Sequence, residues 1–265
     1  MKKYAAVAKI LFKTQIMYRF DVLMTGLGAF WKIIFAWVLW GAIYAGRARV
    51  GSFTLEAMLS YYVIGAFLTT LDMSYSLCGE VSERIKNGTF SKYMVIPSNP
   101  QIYFISQTFG AGGYYGIFAV LATALSALAF RIKPVFSGEP ANIILAVVIC
   151  LLGLVFMNSF HYFLGLWAFK LQDVTFIMHV LPAVISFFKG EYVPLSLLPT
   201  GFTYALRFFP FAHVIYTPVM LLIGEIGLRE GLFGLAVLAA WTLASFAAGQ
   251  FTYNRLRVKY EGVGI

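Results

Sequence analysis

Six apolar stretches take up most of this chain, at residues 22–45, 55–78, 101–130, 141–169, 173–188 and 231–253. A lipid core about 30 Å thick needs on the order of 20 apolar residues per helix, and most of the stretches reach that length. Backbone polar groups in hydrocarbon must be satisfied within the chain itself. The expected fold is therefore an all-α integral membrane protein with six transmembrane helices, a single domain over residues 1–265. What lies between the stretches is too short to bury a core of its own. The composition agrees, with 60% hydrophobic and 12% charged residues against roughly 25% charged in soluble domains.

The net charge of +9 is explained by topology and requires no nucleic-acid partner. With the N-terminus inside, the inner segments hold Lys2, Lys3, Lys9, Lys13, Arg19, Arg84, Lys86, Lys92, Lys170, Arg255, Arg257 and Lys259. The outer segments hold Arg47, Arg49, Arg131, Lys133, Lys189, Arg207 and Arg229, and Lys32 falls within the first stretch. Twelve against seven follows the positive-inside bias and predicts N-in and C-in. Cys78 and Cys150 sit in or at apolar runs, where cysteine behaves as a small hydrophobe. The first stretch is too long for the core of a cleavable signal peptide.

Residues 1–20 follow helical spacing, with Tyr4, Val7, Ala8, Leu11 and Tyr18 on one side and Lys2, Lys9 and Lys13 on another. An amphipathic interfacial helix is expected, the alternative being a plain anchor before the first span. Residues 79–100 form the most polar internal segment. There Ser82 is expected to cap a short helix running to Lys86, Asn87-Gly88 to stop it, and Pro97 and Pro100 to break the chain before the third span. Gly112 and Gly116 make a small-xxx-small pair, read as close helix packing or as a flexible point. Residues 189–230 are irregular, holding Pro194, Pro199, Pro210 and Pro218. A seventh span there would put the basic tail outside. An outer re-entrant hairpin before the last span preserves the parity.

No Gly-x-x-x-x-Gly-Lys-Ser/Thr run is present, so the chain has no phosphate-binding loop of that kind. His161, His179 and His213 are scattered without ligand spacing, which argues against a metal site. No nucleophile-elbow pattern is readable, which argues against an enzyme. Asp72 is the one acid well inside an apolar run. It either lines a substrate path or lies close enough to the cytoplasmic end to be hydrated. Tyr61, Tyr62 and Tyr75 of the same stretch are further candidates for that path. Lys32, distant in sequence, is the only partner for Asp72 that the reading offers.

Two stretches together resemble the permease subunits of ABC-2-type transporters. The first is Glu83, Arg84, Ile85, Lys86, Asn87, Gly88, Thr89 and Phe90, followed by Pro97. The second runs Phe188-Lys189-Gly190-Glu191-Tyr192-Val193-Pro194-Leu195-Ser196-Leu197-Leu198-Pro199, then Phe209-Pro210-Phe211 and Tyr216-Thr217-Pro218. The resemblance implies that Glu83 to Thr89 couple to an ATPase. It also implies that Gly190, Glu191, Pro194, Pro199, Pro210 and Pro218 belong to an outer re-entrant gate. It further implies a second permease, identical or related, and a separate ATP-binding subunit that holds ATP and Mg2+, with no cofactor on this chain. The implied process is export across a bacterial cytoplasmic (inner) membrane. The competing class is an ATP-independent secondary transporter or channel. Such folds favour internal repeats and intramembrane charge pairs, and neither is evident in the sequence.

Overall fold

The structure, a computed structural model, describes residues 2–171 and 180–257. Residues 173–179 of the fifth apolar stretch lie outside the described residues. Among the described residues the chain is helical, with no strand and one isolated bridge, Val50 to Phe53, in the loop after the first long helix.

The helices in chain order are α1 (Lys2–Thr14), α2 (Arg19–Ile43), α3 (Leu55–Leu71), α4 (Leu77–Lys86), α5 (Ser91–Val95), α6 (Pro100–Ala129), α7 (Pro140–Gly165), α8 (Leu181–Phe188), α9 (Thr200–Leu206), α10 (Tyr216–Ile223) and α11 (Leu228–Leu256). Proline opens α6, α7 and α8. At the first helical turn its missing N–H would be unpaired anyway, and its fixed φ suits the helix. Asn99 caps α6 by accepting from the Ile102 N–H at 3.3 Å, and Thr54 caps α3 by accepting from the Ala57 N–H at 3.2 Å.

Four segments are long and apolar enough to cross a bilayer: Phe20–Ile43, Pro100–Ala129, Pro140–Phe169 and Leu228–Leu256. A fifth results if Thr200–Leu206 and Phe211–Ile223, bent by 84° to each other, are counted as one. The continuous second span expected at 55–78 is not formed. Helix α3 stops after 17 residues, a length of about 25 Å, because Asp72 leaves helical geometry. The Asp72 carboxylate accepts from the Ser74 N–H at 3.2 Å and the Ser74 hydroxyl at 2.5 Å. That local turn competes with helix continuation. A 3₁₀ turn, Met73–Ser76, then leads into α4.

Helix α3 is the centre of the bundle, buried almost continuously from Ala57 to Ala66 and packed against α2, α6 and α10. Helix α11 lies along α7. The small pair on α6 serves packing: a Cβ at Gly112 would meet the Leu71 carbonyl oxygen at 2.8 Å, and one at Gly116 would meet the Leu71 side chain at 2.7 Å. Helix α1 packs along the first half of α6 through Tyr4, Ala8 and Phe12. The Tyr4 hydroxyl accepts from the Asn99 N–H at 3.0 Å, and Lys3 Nζ donates to the Pro97 carbonyl at 2.5 Å. Lys2, Lys9 and Lys13 remain exposed.

A Cβ at Gly110 would run into the Ala8 backbone, which has no side-chain freedom to yield. Gly110→Ala is expected to push α1 off α6, costing about 1–3 kcal/mol. Cleavage by trypsin at Lys9 and Lys13 should speed up and the thermal midpoint should fall. An unchanged digestion rate would show that α1 is held by other contacts.

Candidate functional site: a two-faced helix and a charge cluster within the bundle

Helix α4 has two faces. Leu77, Cys78, Val81, Ser82 and Ile85 are buried, recurring at helical spacing and directed toward α7. Glu83 and Lys86 are exposed, as are Asn87 and Thr89 just beyond. Ser82 does not cap a helix as the sequence suggested. It lies inside α4 and is 2% exposed, because the apolar face begins a full turn earlier, at Leu77. Asn87 ends the helix, and Gly88 at φ +73° donates its N–H to the Ile85 carbonyl at 3.2 Å. Glycine adopts that left-handed conformation without a Cβ penalty.

Arg84 donates to Glu80 Oε1 through Nε at 3.1 Å and through Nη2 at 2.6 Å. Gln107 of α6 donates to the same carboxylate at 3.1 Å. Arg84 therefore braces α4, while Glu83 and Lys86 face outward. Behind them Phe90, fully buried, touches the rings of Tyr93, Phe104, Phe169 and Tyr253. Arg84 and Lys92 both lie over the Tyr93 ring, at 5.6 and 4.9 Å. Burial pushes the Tyr93 phenol up to about 12, so it remains neutral. The result is a polar, exposed helix end on a rigid aromatic base, suited to contact with another protein.

The second part of the site lies deeper in the bundle. The Lys189 ammonium pairs with Asp72 Oδ2 at 3.1 Å, and both side chains are 7% exposed. Lys32 of α2 pairs with Glu191 Oε1 at 2.7 Å and reaches Thr69 Oγ1 at 3.4 Å. Helix α3 holds the same turn with two tyrosines: Tyr61 donates to the Gly190 carbonyl at 2.6 Å and Tyr62 to the Tyr192 carbonyl at 2.7 Å. Gly190 has φ +75°, and a Cβ there would sit 2.8 Å from the Tyr61 hydroxyl. Conformation and space both call for glycine at this position. On the other side of Asp72, Ser74 Oγ lies 3.0 Å from His161 Nδ1 on α7. A cavity of about 130 Å³ is enclosed by these groups, with Thr69, Asp72, Tyr75, His161, Lys189 and Glu191 in its wall.

The structure thus brings Asp72 and Tyr75 to one cavity, whereas Tyr61 acts as a clamp on the turn. It corrects the pairing read from sequence: Asp72 meets Lys189, and Lys32 meets Glu191. Lys189, counted among the outer-loop cations, is buried in an ion pair. Pro194 and Pro199 precede short helical turns, Pro210 precedes the 3₁₀ turn Phe211–His213, and Pro218 lies in the first turn of α10. Sequence reasoning missed Lys189, His161 and Ser74, and it offered Tyr62, like Tyr61, for the substrate route, whereas both hold the turn. The available signal was charge balance, since Lys32, Asp72, Lys189 and Glu191 are two of each sign in otherwise apolar surroundings. Among the described residues no three His, Cys, Asp or Glu side chains converge as metal ligands.

The sequence matches the family described as ABC-2 family transporter protein over residues 29–264, which include both parts of the site. The chain belongs to that family, and it is a membrane permease of the ABC transporter class. No curated protein and no solved structure matches it.

Removing one partner of a buried pair leaves an uncompensated charge, at a cost of about 3–5 kcal/mol, whereas apolar replacement of both partners is often neutral. Asp72→Ala is therefore expected to lower stability by that amount. Asp72→Leu combined with Lys189→Met should recover most of it. Denaturation of the purified variants in mild detergent measures both, and a double variant no more stable than the single one would refute the pairing.

Proposed function

We propose that this chain is the membrane-spanning subunit of an ATP-driven exporter, working with a second permease, identical or related, and a separate ATP-binding subunit. It lies in a bacterial cytoplasmic membrane with both termini inside. The chain crosses six times, the second crossing, at 55–78, being interrupted at Asp72 and ending where α4 begins on the cytoplasmic side, and the bent 200–223 segment forms an outer re-entrant hairpin before α11. ATP and Mg2+ sit on the partner subunit, whose closure moves α4 and opens a path by alternating or gated access.

The carrying observation is the exposed polar end of α4, with Glu83, Lys86, Asn87 and Thr89 displayed on a braced aromatic base. Family membership and a sequence without a phosphate-binding loop support the same reading. A second reading, an ATP-independent carrier, is favoured by one specific finding. The bundle contains one buried ion pair, Lys189 with Asp72, and one half-buried pair, Lys32 with Glu191, of the kind that mark ion or proton paths in such carriers.

Purification of the tagged chain from its native membrane separates the two. The ATP-driven reading expects a stoichiometric ATP-binding subunit and ATP hydrolysis. A chain that emerges alone, under conditions that preserve other transporter complexes, supports the carrier. Within the complex, Glu83→Lys or Lys86→Glu is expected to weaken coupling between hydrolysis and transport on the order of tenfold, corresponding to about 1.4 kcal/mol of coupling free energy. Unchanged coupling in both variants would remove α4 from the docking role.

A further inference from the structure

We propose that the Lys189–Asp72 ion pair is the joint through which movement of α4 reaches the 189–194 turn, making Asp72 and Lys189 positioning residues for gating. This rests on the reading of the chain as an ATP-coupled permease.

Asp72 stands where α3 ends and the segment leading to α4 begins. Its two carboxylate oxygens face different tasks. Oδ1 accepts from the N–H and hydroxyl of Ser74, setting the angle at which the chain departs toward α4. Oδ2 accepts from Lys189 at 3.1 Å, at the beginning of the turn. A change in the angle at Ser74 therefore moves the partner of Lys189. Tyr61 and Tyr62 hold Gly190 and Tyr192 from within α3, and Lys32 holds Glu191 from α2.

The surroundings permit such a movement. The hinge, the turn and α7 enclose the cavity of about 130 Å³, so the pair is not packed solid on every side. Ser74 also contacts His161, which gives the hinge a second anchor on α7. Lys189 passes displacement onward, because its own carbonyl accepts from the Tyr216 N–H at 3.1 Å, at the start of α10. The chain of contacts thus runs from α4 through Ser74, Asp72 and Lys189 to the bent outer segment. A coupling route needs an element with two arrangements that both ends bias, and the break at 72–76, where the α-helix gives way to a 3₁₀ turn, is assigned that part.

The test uses the complex with its ATP-binding subunit in lipid nanodiscs. Cys78 and Cys150 are replaced by alanine, and Tyr192, 54% exposed, is changed to cysteine as a reporter. The rate of maleimide labelling is compared without nucleotide and with ATP plus vanadate. A nucleotide-dependent change of about tenfold in that rate is expected for the parent. It should disappear in Asp72→Leu with Lys189→Met, which keeps the fold without the charge link, and persist in Asp72→Glu, which keeps the charge. Unfolding curves taken alongside verify that the variants are folded. Full retention of the change in the apolar double variant overturns the joint, and so does a parent complex whose Tyr192→Cys labelling ignores nucleotide. Absence of any ATP-binding subunit from the purified material overturns the ATP-coupled reading itself, before labelling is attempted.

Discussion

A turn packed inside a helical bundle must find partners for its backbone, because apolar side chains offer none. In this protein the 189–194 turn meets that demand largely through α3. Tyr61 and Tyr62 donate to its carbonyls from one face of the central helix, and the Tyr216 N–H takes the Lys189 carbonyl. Once the backbone is anchored, the charges on the turn are carried into the bundle as well. Lys189 and Glu191 then require partners of opposite sign, which Asp72 and Lys32 supply. The position of α2, the end of α3 and the entry to α10 all follow from this one anchored segment.

The same logic explains why α3 is short. A helix carried on through residue 78 would commit the Ser74 N–H to the Thr70 carbonyl, so that it could not donate to the Asp72 carboxylate. Ending at Leu71 lets that carboxylate serve Ser74 and Lys189 together. The break sacrifices a continuous helix, and α4 starts anew at Leu77. Its apolar face lies on α7 and the aromatic cluster around Phe90, and its polar end faces away. The two parts of the candidate site begin within five residues of each other, at Asp72 and Leu77.

Local chemistry read from the sequence carried over where the cause is local. Gly88 is a left-handed stop, Pro100 opens a helix, and Gly112 with Gly116 allow α6 to approach Leu71. Each depends on residues a few positions apart or on a property of one residue type. Ser82 was misread because a serine before a polar helical run has the pattern of a cap. The true start lies at Leu77, whose apolar phase is set by burial against α7. The charge pairs were not legible for a different reason. Asp72 and Lys189 are separated by 117 positions, and Lys32 and Glu191 by 159, so no periodicity connects them.

The sequence alone determined that the chain is helical and membrane-embedded, since long apolar runs admit few other structures in lipid. It also marked the polar segment at 79–100 and the irregular proline-rich region, and its Glu83–Thr89 and Phe188–Pro199 runs carried the family resemblance. Tertiary structure decided which helices are continuous, which charges meet, and that Tyr61 clamps a turn and does not line the cavity. The physical reason is range. Hydropathy and turn chemistry act between near neighbours along the chain. The cost of burying an ammonium or a carboxylate is settled only when distant segments are packed against one another.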